Sequence, residues 1–139
     1  MSLTIRILTV RQPWATALLT GGKDVENRSW PTRYRGWILI HSGQTIDRDV
    51  PERYASMLGD QQPESLPRGY VLGGIYLTDV VQTSQSPWAR PLEWHWCHDT
   101  TRACVLEVPV PWRGALGLQF APPELLRLLP RHFRDHISA

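Results

Sequence analysis

The chain has 139 residues, 42% of them hydrophobic and 20% charged, with a formal net charge of +2; that composition supports a packed core without metal or disulfide staples and excludes a disordered chain. Two cysteines, Cys97 and Cys104, form no CxxC pair, and with no apolar leader segment the chain reads as a reduced, cytoplasmic protein forming one domain over residues 1–139. No run is long enough to span a bilayer, which excludes a transmembrane role, and the small positive charge permits a polyanionic partner without requiring one.

Residues 3–10 are apolar and β-branched, which predicts a first strand. Arg11 and Gln12 lead into Pro13, a residue suited to the first turn of a helix, and Gly21-Gly22 stops the helix predicted over 13–20. So short a helix is marginal in water, so Trp14, Ala17 and Leu18 are expected to dock it onto a sheet. Residues 23–29 predict a strand with Glu26 and Arg28 on one face and Val25 and Asn27 on the other. A turn built on Pro31 follows over 30–35, then a strand over 36–41 with Trp37, Leu39 and His41 on one face. Residues 47–59 predict a second helix, with Asp49 near its start, Pro51 in its first turn and Gly59 just past its end.

Residues 61–69 form a polar, proline-bearing loop. A strand is predicted over 70–81, where Gly73-Gly74 marks a bulge or a close backbone approach. Residues 84–101 show no clear period and carry Trp88, Trp94 and Trp96; an irregular segment of that length is usually functional or mobile. A strand over 102–108, a turn over 109–117 and a short amphipathic helix over 122–129 complete the pattern, followed by a basic tail. Short strands with few, short helices predict an α+β fold, a small mixed barrel with peripheral helices.

The chemistry is concentrated in residues 8–42, which hold Arg11, Gln12, Trp14, Lys23, Glu26, Arg28, Trp30, Arg35, His41 and Ser42. Lys23 is the only lysine in the chain. Arginine-rich composition and chance explain that as well as a dedicated role does. The segment carries five Lys or Arg against two acids, so its own charge exceeds that of the whole chain.

The runs Val10-Arg11-Gln12-Pro13-Trp14, Gly22-Lys23-Asp24-Val25-Glu26-Asn27-Arg28-Ser29-Trp30, Tyr34-Arg35-Gly36 and Ile40-His41-Ser42 closely resemble the signature of the ASCH domain family, in the PUA-like superfamily. Weaker similarity continues through 69–80 and 111–118. The resemblance implies a PUA-like β-barrel with short flanking helices and a cleft lined by the signature. It also implies RNA or other nucleic acid as partner. Some compact relatives hydrolyse the N4-acetyl group of acetylcytidine, others resemble ribonucleases, and the wider superfamily includes domains that hold one modified base in an aromatic pocket. The acetylcytidine hydrolases look as though they use a lysine, a threonine three positions later and a separate glutamate. Lys23 matches the lysine, but Glu26 stands where the threonine belongs, which removes the expected nucleophile.

Arg11 and Lys23 flank the predicted helix and offer cations to phosphate, Arg11 as a fork and Lys23 as a point charge able to act as a base when desolvated. Glu26 and Arg28 form either a structural ion pair or a unit that reads a base edge and moves protons. Trp14 and Trp30 are the first choices for stacking, with core packing the competing role for Trp14. His41 reads as a hydrogen-bonded strand-end histidine, and Ser42 and Arg35 as polar contacts. Glu93, His95, Cys97 and His98 lack the partner cluster that zinc requires, so no metal or cofactor is expected. Arg127, Arg131, His132, Arg134 and His136 read as a solvated basic end with a possible nonspecific phosphate contact.

The leading expectation is a binding module that takes a nucleotide or modified base, within RNA, single-stranded nucleic acid or a nucleoside, in a cationic cleft lined by residues 8–42. The alternatives are a hydrolase on RNA or a modified nucleoside, with Lys23 and Glu26 as acid and base, and an interaction domain with no nucleic acid partner.

Overall fold

The computed structural model describes residues 5–59 and 62–138. Leu3 and Thr4 of the predicted first strand, and Gln61 at the head of the predicted loop, lie outside them. The strands are β1 (Arg6–Gln12), β2 (Val25–Arg28), β3 (Gly36–Ile46), β4 (Tyr70–Val81), β5 (Trp94–His98), β6 (Cys104–Pro111) and β7 (Leu118–Phe120). The helices are α1 (Trp14–Thr20), α2 (Glu52–Leu58), α3 (Pro123–Leu128) and α4 (Arg131–Ile137).

The strands form one mixed sheet in the order β2-β5-β4-β3-β1-β7, with β6 pairing to β4 beside this path. β1 and β3 run parallel, from Arg6 opposite Ile38 to Val10 opposite Ser42. A parallel pair needs a crossover, and α1 with β2 supplies it, which brings the residues between them to one end of β1. Among the described residues the ladder ends at β2 and at β7. The α+β expectation holds as a seven-stranded mixed sheet, and the closure of a barrel is not made by these pairings.

Both faces of the sheet are covered, which explains the unbroken apolar run in β3. Ile38 and Ile40 face a core shared with Leu8, Leu18, Tyr54 and Trp96, under α1 and α2. Trp37 and Leu39 face a second core with Ile7, Leu125, Phe133 and Ile137, under α3 and α4. Gly73 is a close approach, as its sequence context predicts: a Cβ there would lie 2.2 Å from the Cys104 carbonyl oxygen on β6.

Several boundaries differ from those predicted. Residues 47–51 are not helical, because the Asp47 amide bonds the Gln12 carbonyl at 2.8 Å and the chain before Pro51 is biased to extended backbone. The segment 84–101 contains β5, and the basic end folds as α4, with Phe133 and Ile137 one helical turn apart and buried.

Candidate functional site

The helix α1, the strand β2 and the loops around them enclose a cleft of about 580 Å³. Its cations are Arg11, Lys23, Arg28 and Arg90, and its acids are Glu26, Asp47 and Glu93. Lys23 is fixed before its side chain begins, since its amide bonds the carbonyl of Ala17, in α1, at 3.1 Å. Its Nζ donates to the Val25 carbonyl and, at 3.2 Å, to Glu26 Oε1.

The alternation of β2 puts Arg28 on the same face as Glu26, with Arg28 Nε 3.0 Å from Glu26 Oε2. That contact is an ion pair rather than an aligned hydrogen bond, because Nε has no hydrogen-bond partner by angle. Lys23 and Glu26 are only 2% and 7% exposed. Burial pushes the Lys23 amine below its ordinary value, Glu26 pulls it up, and the Arg90 and Arg28 charges push it down again.

Trp14 forms another wall. Its indole N–H donates to Asp47 Oδ2 at 3.0 Å. The Arg90 guanidinium lies 5.1 Å from the Trp14 ring centre and 5.4 Å from that of Tyr54. Arg90 is delivered by Asn27. The Asn27 Oδ1 accepts from the Arg90 amide at 3.0 Å and contacts His95 Nδ1 at 2.9 Å, while its Nδ2 donates to the Trp88 carbonyl at 3.0 Å. Tyr54 supports the same loop, its ring stacked on Trp88 with centroids 5.8 Å apart.

A relay ties the cleft to its neighbouring basin. Arg28 Nη2 donates to the Thr9 carbonyl at 2.8 Å, and Thr9 Oγ1 lies 3.1 Å from His41 Nδ1. His41 Nε2 lies 2.7 Å from the Trp112 carbonyl. A carbonyl only accepts, so Nε2 carries the proton and Nδ1 accepts from the Thr9 hydroxyl. Burial holds His41 below the usual histidine value, partly offset by that carbonyl. His98 is lowered by burial in the same way, and its Nε2 donates to the Lys23 carbonyl at 2.7 Å.

Of the residues singled out from the sequence, Arg11, Trp14, Lys23, Glu26 and Arg28 line the cleft. Gln12 is buried and spends its amide on the Thr16 N–H at 3.0 Å and the Pro67 carbonyl at 2.9 Å. Ser42 is likewise buried against the Tyr70 backbone. Trp30 packs edge-on against Trp96 at 4.8 Å, outside the cleft, and Arg35 faces Asp79 at 3.6 Å. Trp14 is 8% exposed and meets Lys23, Arg90 and Tyr54, so the structure gives it the packing role.

His95 turns to Asn27 and His98 to Lys23, and Glu93 lines the cleft. No metal-sized group of three His, Cys, Asp or Glu converges among the described residues. Sequence reasoning missed Thr9, Asp47, Tyr54, Trp88 and Arg90. The one available signal was the aperiodic segment 84–101, which carries two of them.

Among curated proteins, the chain is 36% identical over 85 residues to human Activating signal cointegrator 1, and 35% identical over the same length to the mouse protein of that name. Each match covers 56% of this chain and 15% of the relative, so the similarity spans a small part of those proteins' length. Among solved structures, a variant of ZmASCH from Zymomonas mobilis superposes with a TM-score of 0.56 over 92% of this chain and all of that one. At 13% identity, that likeness speaks to the fold alone. No helix among the described residues is long and apolar enough to cross a membrane. The ASCH domain model matches residues 8–124, and the chain belongs to the ASCH domain family.

Proposed function

We propose that the chain is a nucleic-acid-binding module whose cleft takes one nucleotide, with RNA as the partner. The supporting observation is the disposition of charge: Arg11 and Arg90 reach the cleft without an ion pair to an acid among the described residues, whereas Lys23 and Arg28 are committed to Glu26. Arg11 and Arg90 therefore offer phosphate contacts, and the guanidinium plane of Arg90 offers a stacking surface for a base. Asp47 and Glu93 supply acceptors for the base edge.

Titration of single-stranded RNA against salt tests this reading. Log affinity should fall with log salt by about 0.7 per phosphate contacted. Arg11→Ala should reduce that slope by about one contact's worth. Binding that does not weaken with salt would contradict it.

A second reading, a hydrolase on RNA or a modified nucleoside, is favoured by one feature, the desolvated Lys23 amine 3.2 Å from Glu26. Only the unprotonated amine can take a proton, and a lowered pKa enlarges its share. With Glu26 in place of a hydroxyl nucleophile, acetylcytidine turnover should be slight. RNA cleavage abolished by Lys23→Ala in a folded protein would establish the hydrolase, and unchanged cleavage would discard it.

A further inference from the structure

Beside the cleft lies a second basin of about 850 Å³, whose walls include Trp112 and Arg113. Thr9, Gly43, Gln44, Ala115 and Leu116 line both spaces, so the two are adjacent and share a rim. Arg113 is exposed and forms no ion pair among the described residues. Trp112 is half-buried beside it. A free cation next to a partly open indole repeats what single-stranded nucleic acid uses in each binding step, a phosphate contact and a stacking face.

The spacing between the two spaces is fixed. Thr9 holds Arg28 of the cleft through its carbonyl at 2.8 Å, and its hydroxyl meets His41, which bonds the Trp112 carbonyl at 2.7 Å. Gly114 is pressed onto the same relay: a Cβ there would lie 2.6 Å from Thr9 Oγ1 and 2.7 Å from His41 Cε1. The loop that carries Arg113 is thus anchored to the residue that anchors Arg28. Leu116 stands on the rim shared by the two spaces, 92% exposed, where an apolar side chain can separate two neighbouring bases.

We infer that Trp112 and Arg113 form a subsite for the nucleotide next to the one in the cleft, so that the ligand is a single strand of at least two nucleotides rather than a free nucleoside. This rests on the cleft being a nucleotide site. A free nucleoside would leave the second basin empty and its cation unused. A strand fills both at little further ordering cost, because the protein side of the geometry is already set.

The test compares an equimolar mixture of the four ribonucleoside 5′-monophosphates with mixed-sequence ribotetranucleotides, by competition against a labelled single-stranded RNA. The tetranucleotides should bind at least about fivefold more tightly, a stacking contact being worth roughly that or more. Arg113→Ala and Trp112→Ala should each remove most of that gain and leave monophosphate binding within about twofold, while Trp112→Phe should keep it. Should Trp112→Ala fail to fold by circular dichroism, Arg113→Ala on the exposed loop carries the comparison. A wild-type protein with no gain from monophosphate to tetranucleotide, or a gain that survives in Arg113→Ala, overturns the subsite and leaves the cleft reading standing. Failure of both probes to bind overturns the cleft reading and the subsite together.

Discussion

Asn27 shows what a single side chain contributes to this site. Its amide meets the Trp88 carbonyl, the Arg90 amide and His95, and so joins β2 to the loop that brings Arg90 over Trp14. Asn27→Ala leaves those groups without partners at a cost of about 1–3 kcal/mol. It should also weaken RNA binding more than Arg11→Ala, because the 86–90 loop loses the anchor that sets the Arg90 amide. Urea titration gives the first quantity and RNA affinity the second, and wild-type values of both would show that the loop is held without Asn27, by Ser86 on Asp24, Arg53 on the Ala89 carbonyl and Tyr54 against Trp88.

Titration sorts the buried groups in the same way. A lysine with a lowered pKa binds fewer protons folded than unfolded between that pKa and its ordinary 10.5, so stability should rise with pH across that window, by at most about 1.4 kcal/mol per pH unit. Lys23→Met should flatten this rise. His41 and His98 are lowered by burial from 6.5. Being neutral when folded, they should cost stability as pH falls below that value toward their folded pKa values, and His98→Gln should lessen the loss. Thermal midpoints between pH 4 and 10 would expose an opposite slope.

Among single residues, the signature was legible where its chemistry and its period agreed. Glu26 and Arg28, two apart on β2, do share a face and touch at 3.0 Å. Gln12 and Ser42 belong to the same signature and satisfy backbone groups instead. A polar residue type alone does not separate those two uses.

At the level of elements, legibility followed the density of apolar residues. β3 and β4 were readable because both their faces are buried, whereas β5 carries the run Trp94-His95-Trp96-Cys97-His98, whose two histidines are buried with polar partners. That composition has no strand alternation to read. α4 presents only Phe133 and Ile137 within seven mostly polar residues, a pattern that resembles a solvated tail until its packing partners are known. Those partners, Leu125, Leu129 and Trp37 among them, belong to the second core. Phe133→Ala should therefore destabilise the protein by about 3 kcal/mol or more, as for other buried phenylalanines. A urea midpoint unmoved by the substitution would mean that α4 is dispensable and that Ile7 and Leu39 are covered by α3 alone.

Across the whole molecule, the two cores lie on opposite faces of the sheet. One face of the sheet packs α1 and α2, and the cleft opens at the end of α1; the other face packs α3 and α4, which carry Arg127 and Arg131 on their exposed sides. The sequence could not divide its arginines between these faces, because the division depends on the crossover from β1 to β3 and on a loop more than sixty residues after Lys23. Net charge is correspondingly uninformative, and a comparison of matched double variants makes the point measurable. Arg127→Ala with Arg131→Ala and Arg11→Ala with Arg90→Ala each remove two positive charges and take the formal net charge from +2 to zero. If long-range attraction governed binding, the two pairs would weaken it alike. Exposed charges more than about 10 Å apart are screened at ordinary salt, so the first pair should leave RNA affinity at 0.1–0.15 M salt within about twofold while the second lowers it by tenfold or more. Equal losses would mean that long-range attraction rather than contact in the cleft governs binding, and a larger loss from the first pair would move the nucleic acid onto the basic end of the chain.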